Sequence, residues 1–301
     1  MFGDEMFGDE MFGDEANDGT DSEQWKLPST TAFHLPQRNL RQYVLGYFDL
    51  DSVQTRTVRR RLLPHLLVTV LIDFIPPRRR IESVDGVVEP SIRLPVNGPR
   101  DRPQIFEQSG RHRAVCVDLT PLGAYALFGI PMRELANASV DFTDLLGNEG
   151  RFFVERLADA GTGADRARVV DAMISARMAR SEPSVGLVDH AWRQVNRTAG
   201  AIRIGALADR LGVSRRHLEK QFDERIGLSP KAAARVVRFQ RALALAESDK
   251  PWSEIASICG YTDQSHLSRE VRDLSGLTPG RLRGRAIAAG GRFLVEGDAP
   301  G

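Results

Sequence analysis

The chain has 301 residues, 42% of them apolar and 27% charged, and its 41 Lys and Arg nearly balance its 40 Asp and Glu for a net charge of +1. That length predicts two domains, with apolar content enough for a sizeable core. No apolar run reaches the length of a membrane span. The acidic start lacks the basic and apolar regions of a secretory signal. Cys116 and Cys259 stand too far apart for a metal knuckle or disulfide framework, and fit reduced thiols of a cytoplasmic protein.

Residues 1–26 carry nine acidic side chains against one Lys. Their first fifteen residues are three copies of Met-Phe-Gly-Asp-Glu, which offer no face to bury, so a disordered acidic tail is expected over 1–26. From Leu40 to Leu119 the pattern is that of strands. Tyr43–Leu50 is rich in β-formers, and Leu66–Phe74 is a buried strand stopped by Pro76-Pro77. Shorter strands are expected at Ile81–Val84, Ser91–Val96 and Ala114–Leu119, with Asp85-Gly86, Asn97-Gly98-Pro99 and Ser109-Gly110 as turns. Such spacing predicts a sandwich or barrel over 27–148. Helices follow from Pro121, near Glu149–Ala160 and over Asp165–Arg180, the last two forming a helical linker over 149–187 that ends in Ser181-Glu182-Pro183-Ser184.

From Leu187 to Arg285 the chain is helical and basic, with 18 Lys and Arg against 11 Asp and Glu, which points to a polyanionic partner. This segment repeats itself. Ala208-x-x-Leu211-Gly212-Val213-Ser214 matches Ala256-x-x-Cys259-Gly260-Tyr261-Thr262. His217-Leu218, Phe222 and Gly227-Leu228-Ser229-Pro230 match His266-Leu267, Val271 and Gly276-Leu277-Thr278-Pro279. The second copy carries one extra residue in its turn.

Each copy holds the parts of a helix-turn-helix: a short helix closed by Gly, an apolar residue to pin the turn, and a polar cap (Ser214; Thr262 or Asp263) opening a second helix. Leu218, Phe222 and Ile226 share one face of the first such helix, and Leu267, Val271 and Leu274 one face of the second. Arg216 and Lys220 lie opposite the first core face with Glu219 on its flank. Ser265 and Arg269 lie opposite the second, with His266 beside them and Gln264 at the helix start. Arg and Lys suit the guanine acceptors, Gln suits adenine, and Glu accepts from cytosine. A helix from Pro230 to about Ser248 is a rigid spacer between the copies, with Arg235, Arg238 and Arg241 on an exposed ridge.

Residues Ile204–Arg283 resemble the AraC/XylS family of transcription regulators. The resemblance is carried by Ala208–Gly212 with Ser214–Leu218, by Ile255-Ala256-x-x-Cys259-Gly260-Tyr261, by Asp263–Arg269 and by Gly276–Arg283. Val271 stands where that family usually has Phe. The resemblance implies base reading by Arg216, Glu219 and Lys220 in the first copy, and by Gln264, Ser265, His266 and Arg269 in the second. Leu40–Tyr47, Leu63-Pro64 and Pro121–Pro131 resemble the cupin-like β-domain of one branch of the family, in which His65 replaces a frequent Asp or Glu.

The expected fold class is therefore α+β in two domains: a β-rich cupin-like domain, then an all-α tandem helix-turn-helix domain over 188–285, with a flexible tail over 286–301. The resemblance implies double-stranded DNA, RNA polymerase, a small-molecule effector and a second copy of the chain as partners. Neither cofactor nor metal is called for, since His34, His65 and His112 lack ligand spacing. The competing reading is a DNA-associated enzyme with Cys116 as an alkyl acceptor, for which no activating partner is visible on its strand. Arg59-Arg60-Arg61 and Arg78-Arg79-Arg80 read as solvated edges or turns.

Overall fold

A computed structural model of the protein describes residues 30–83, 86–89, 92–180, 186–283, 287–288 and 292–298. The expected acidic tail and the Ser181–Ser184 linker lie outside the described residues, as do Val84 and Ser91 at the edges of two expected strands.

The first half is an antiparallel sheet. Its strands are β1 (Thr30–His34), β2 (Val44–Leu62), β3 (Val68–Ile75), β4 (Arg78–Ser83), β5 (Val88–Glu89), β6 (Pro95–Asn97), β7 (Gln104–Leu119) and β8 (Ser139–Asp141). The long strand β7 organises it: β2 runs along one edge, while β3 pairs with its C-terminal half and β4 with its N-terminal half. Ser109-Gly110, expected as a turn, lies inside β7 instead. Gly110 has φ +88° beside a register shift between Gln54 and Val58 of β2, so the turn-forming pair marks a bulge in a continuous strand.

Helices α1 (Pro121–Phe128), α2 (Phe142–Asp159) and α3 (Gly163–Met178) cover this sheet. Phe142, Leu146, Phe153 and Leu157 of α2, with Val170 and Ile174 of α3, are buried in one core with Val44, Val70, Val117 and Leu119. The Tyr47 hydroxyl donates to Asp171 of α3 at 2.5 Å. The helices expected as a linker over 149–187 are thus part of the β-domain, because their apolar stripes have the sheet face to cover.

The second half contains α4 (Leu187–Arg197), α5 (Ile204–Arg210), α6 (Arg215–Arg225), α7 (Pro230–Ala246), α8 (Trp252–Ile258), α9 (Gln264–Ser275) and the short α10 (Pro279–Leu282). Two cores fill it. Leu207, Leu218, Phe222 and Ile226 form one with α4 and one face of α7; Phe239, Leu243, Ile255, Leu267, Val271 and Leu274 form the other. Both receive side chains from the β-domain: Leu66 and Leu122 enter the first, Leu63 the second.

Residues 286–301, expected as a flexible tail, contribute two further strands, β9 (Ile287–Ala288) and β10 (Phe293–Asp298). β10 pairs antiparallel with Arg59–Leu62 and Val58 of β2, so the chain returns from the helical half to extend the first sheet. The physical reason is in two side chains. Arg292 is buried against Asp118 of β7, with N–O distances of 2.8 and 2.5 Å, and Leu294 is fully buried in the core of the second helix-turn-helix.

Candidate nucleic-acid interface

The two copies of the repeat fold alike. Gly212 (φ +66°) and Gly260 (φ +72°) close α5 and α8 in the left-handed conformation, which a side chain would strain. The next helix opens on a side-chain cap in each: Ser214 accepts from the amide of His217 at 3.2 Å, and Asp263 from that of His266 at 2.7 Å. Asp263 rather than Thr262 is therefore the cap, and Thr262 is the extra turn residue. Val213 is half-buried and Tyr261 is buried, so each turn is pinned to its core.

This geometry turns one face of α6 and one of α9 outward. Arg216, Glu219 and Lys220 are exposed on α6, and Gln264, Ser265 and Arg269 on α9. The Nε of Arg269 donates to the Ser265 carbonyl at 3.4 Å, drawing the guanidinium toward the helix N-terminus. His266 is placed differently. It is half-buried, its ring meets Tyr261 edge-on at 5.3 Å, and its Nδ1 accepts the Thr262 amide at 3.3 Å. Its first role is to close the turn, which leaves one ring nitrogen for a partner.

The ridge expected on α7 is not free. Arg235 and Arg238 both hold Glu270 of α9 at 3.2 Å, and Glu270 is only 6% exposed. Arg238 also lies 4.9 Å from the Tyr261 ring centroid. α7 is thereby bolted to α9 by charge as well as by its apolar face. The sequence carried the signal: Glu270 follows Leu267 by three, so it falls on the apolar face of α9 and requires a buried partner.

The back of α6 rests on the β-domain. Arg225 lies 5.4 Å from the Tyr125 ring centroid and Asp223 is 3.9 Å from Arg133. For the second copy, Arg61 of β2 donates to the Ser275 carbonyl at 3.1 Å at the end of α9, and Gln240 of α7 donates to the Pro64 carbonyl.

The groups on which enzyme chemistry would rest are occupied otherwise. Cys116 is buried, and burial, then Asp118, pushes its thiol well above the usual range, the opposite of nucleophilic activation. Cys259 is pushed up to about 11 by burial. His112 meets Asp73 at 2.7 Å and His34 meets Asp49 at 3.4 Å. Among the described residues no three His, Cys, Asp or Glu gather as a metal cluster would. The arginine triplets are not simple solvated edges: Arg59 pairs with Glu107 at 2.8 Å and Arg79 with Asp73 at 3.1 Å, while Arg60 turns inward. Strand alternation sends the middle residue of each triplet to the inner face.

Residues 207–285 match a family described as a helix-turn-helix domain, and residues 32–141 match a domain of unknown function (DUF6597). The chain is 31% identical over 98 residues to the HTH-type transcriptional activator RhaS of Pectobacterium carotovorum, an alignment covering 32% of this chain and 35% of that protein. It is 33% identical over 94 residues to RhaS of Escherichia fergusonii, covering 31% of this chain and 34% of the relative. The match thus spans about a third of the length of these relatives. Among solved structures, ToxT from Vibrio cholerae aligns at 11% identity and TM-score 0.42, over 78% of this chain and 96% of that one. A probable AraC family regulator from Rhodopseudomonas palustris aligns at 32% identity and TM-score 0.27, over 31% of this chain and 94% of that one. The helix-turn-helix match therefore falls on the duplicated motif, each copy of which opens its second helix on a side-chain cap, Ser214 in one and Asp263 in the other.

Proposed function

We propose that the chain is a sequence-specific DNA-binding transcription regulator that reads two adjacent major-groove segments and answers to a small molecule held by its β-domain. One observation carries the DNA reading: two capped helices, built alike, present exposed polar residues at equivalent positions over buried cores. On α6, Arg216 and Lys220 address guanine acceptors and Glu219 a cytosine amino group. On α9, Gln264 addresses adenine, Arg269 guanine, and Ser265 and His266 adjoining base edges. α7 fixes the distance between them. The family resemblance adds RNA polymerase and a second copy of the chain as partners, and the cytoplasm as the place of action. No helix among the described residues is long and apolar enough to cross a membrane.

Selection of binding sites from a random duplex pool by the full chain tests this reading. The expected result is two short conserved blocks about one helical turn, or ~10 bp, apart. A pool that emerges unenriched overturns it.

A further inference from the structure

Inside the β-domain lies a cavity of about 80 Å³, walled by β2, β3, β4, β7 and the returning strand β10. Its surface is mostly apolar, and its polar groups are largely satisfied among themselves. Gln108 and Asp73 hold His112, and Arg79 is neutralised by Asp73. Arg60 is the exception. It is 7% exposed, its Nε has no hydrogen-bond partner, and no carboxylate pairs with it among the described residues. Its guanidinium lies only 6.0 Å from the ring centroid of Phe106. Nearby, the Nδ1 of buried His65 also lacks a partner. Two other cations beside the cavity face an acid: Arg79 faces Asp73 and Arg292 faces Asp118. A guanidinium stays charged even when burial lowers its affinity for the proton, and a buried charge needs a counter-charge.

We infer that this cavity is the binding site of a small aliphatic carboxylate, whose anionic end pairs with Arg60 and whose short apolar body packs between the Phe106 and Phe293 side of the cavity and the aliphatic wall. The class follows from three observations. The planar fork of an arginine matches a carboxylate. The remaining wall offers chiefly carbon. The volume is about half of the ~150 Å³ that accommodates benzene, so a ligand of acetate to butyrate size fits and a sugar or an aromatic acid does not. This deepens the proposed effector response of the β-domain and rests on it. It also supplies its route: Phe293, packed edge-on to Phe106 at 5.6 Å, belongs to β10, the strand that follows the DNA-binding half. The ligand therefore touches the segment whose next residue, Leu294, is in the core of the second helix-turn-helix.

Titration calorimetry on the full chain without DNA, at constant chloride-balanced ionic strength, tests the site. Propionate is expected to bind saturably at one per chain, with neutral propionamide at least about tenfold weaker. Arg60→Met should weaken propionate by a similar factor while its melting temperature without ligand rises, since an uncompensated buried charge has been removed. Phe293→Ala, which enlarges the cavity, should shift preference from propionate toward butyrate. No saturable heat with acetate, propionate or butyrate, or equal binding by Arg60→Met, overturns the proposal; an unchanged chain-length preference in Phe293→Ala overturns the role of β10 as its wall. Because DNA is absent, failure here is separable from failure of the DNA reading, which the site selection scores.

Discussion

Phe293 and Leu294 are neighbours on one strand and face opposite sides of the sheet: Phe293 lines the β-domain cavity, and Leu294 is fully buried among Leu267, Val271 and Leu274 of the second helix-turn-helix. The alternation of a β-strand is enough to produce this. The division between the two halves is therefore one strand thick at this point, with Arg60 and Arg61 of β2 divided in the same way. Arg60 faces the cavity while Arg61 binds the end of α9.

Leu294→Ala should cost about 2–5 kcal/mol, the usual range for a buried leucine truncated to a cavity. Both halves should lose stability together. Urea unfolding followed by Trp192 and Trp252 fluorescence and by far-ultraviolet dichroism is expected to stay coincident. Separate transitions would show that β10 does not couple the halves.

Arg292→Met leaves Asp118 buried and unpaired, and should destabilise the protein by about 3–5 kcal/mol. Adding Asp118→Leu should restore much of that loss, because the remaining charge is then gone. Chemical denaturation of the two single variants and the double variant measures this coupling.

Glu270→Gln removes the charge that holds Arg235 and Arg238, and is expected to cost about 1.5–3 kcal/mol for the lost charge-assisted hydrogen bonds. Glu270 is buried, so it does not meet DNA itself. Its loss should nevertheless weaken specific binding by loosening α9 on α7. Melting temperature and DNA affinity should fall together.

Arg269→Ala should behave in the opposite manner, leaving stability nearly unchanged. It should cost about 1–3 kcal/mol on the selected site and relax preference at the base it reads. Equal losses on selected and random duplexes, in a fluorescence-anisotropy titration, would make Arg269 a phosphate contact instead.

His65 gives the fold an acid-sensitive component. Burial first, then Arg292 and Arg100, depress its proton affinity well below the ordinary value of 6.5. In the unfolded chain it takes a proton as pH falls through about 6.5, while in the folded chain it does not. Its contribution is therefore fully present above that pH and is lost progressively below it. Melting temperatures from pH 7.5 to 5.5 should fall less steeply in His65→Gln than in the wild type.

The helix-turn-helix half was legible because its determinants are local. Gly212 and Gly260, the caps Ser214 and Asp263, and the Leu218–Phe222–Ile226 spacing each act within a few residues of themselves, and the second copy repeats them. What escaped depends on contacts distant in sequence. The inward turn of Arg60 needs the register of β2 against β7, the burial of Glu270 needs α7, and β10 needs a partner edge more than 230 residues earlier. Ser109-Gly110 misled for the same reason: a bulge and a turn use the same residues, and only the partner strand tells them apart. The outward faces of α6 and α9 were identifiable from the helical wheel, except that His266 is half-buried and closes its turn.

The pairing of Arg292 with Asp118 also has a consequence for synthesis. A ribosome makes β2 and β7 long before residue 292 emerges, so during most of translation Asp118 has no guanidinium and the edge of β2 at 58–62 has no neighbour. The β-domain reaches its final form only after the helical half has left the exit tunnel. A fragment ending at the natural-looking break near residue 180 should be aggregation-prone through that open edge, whereas adding a peptide of residues 287–298 should rescue it by strand complementation.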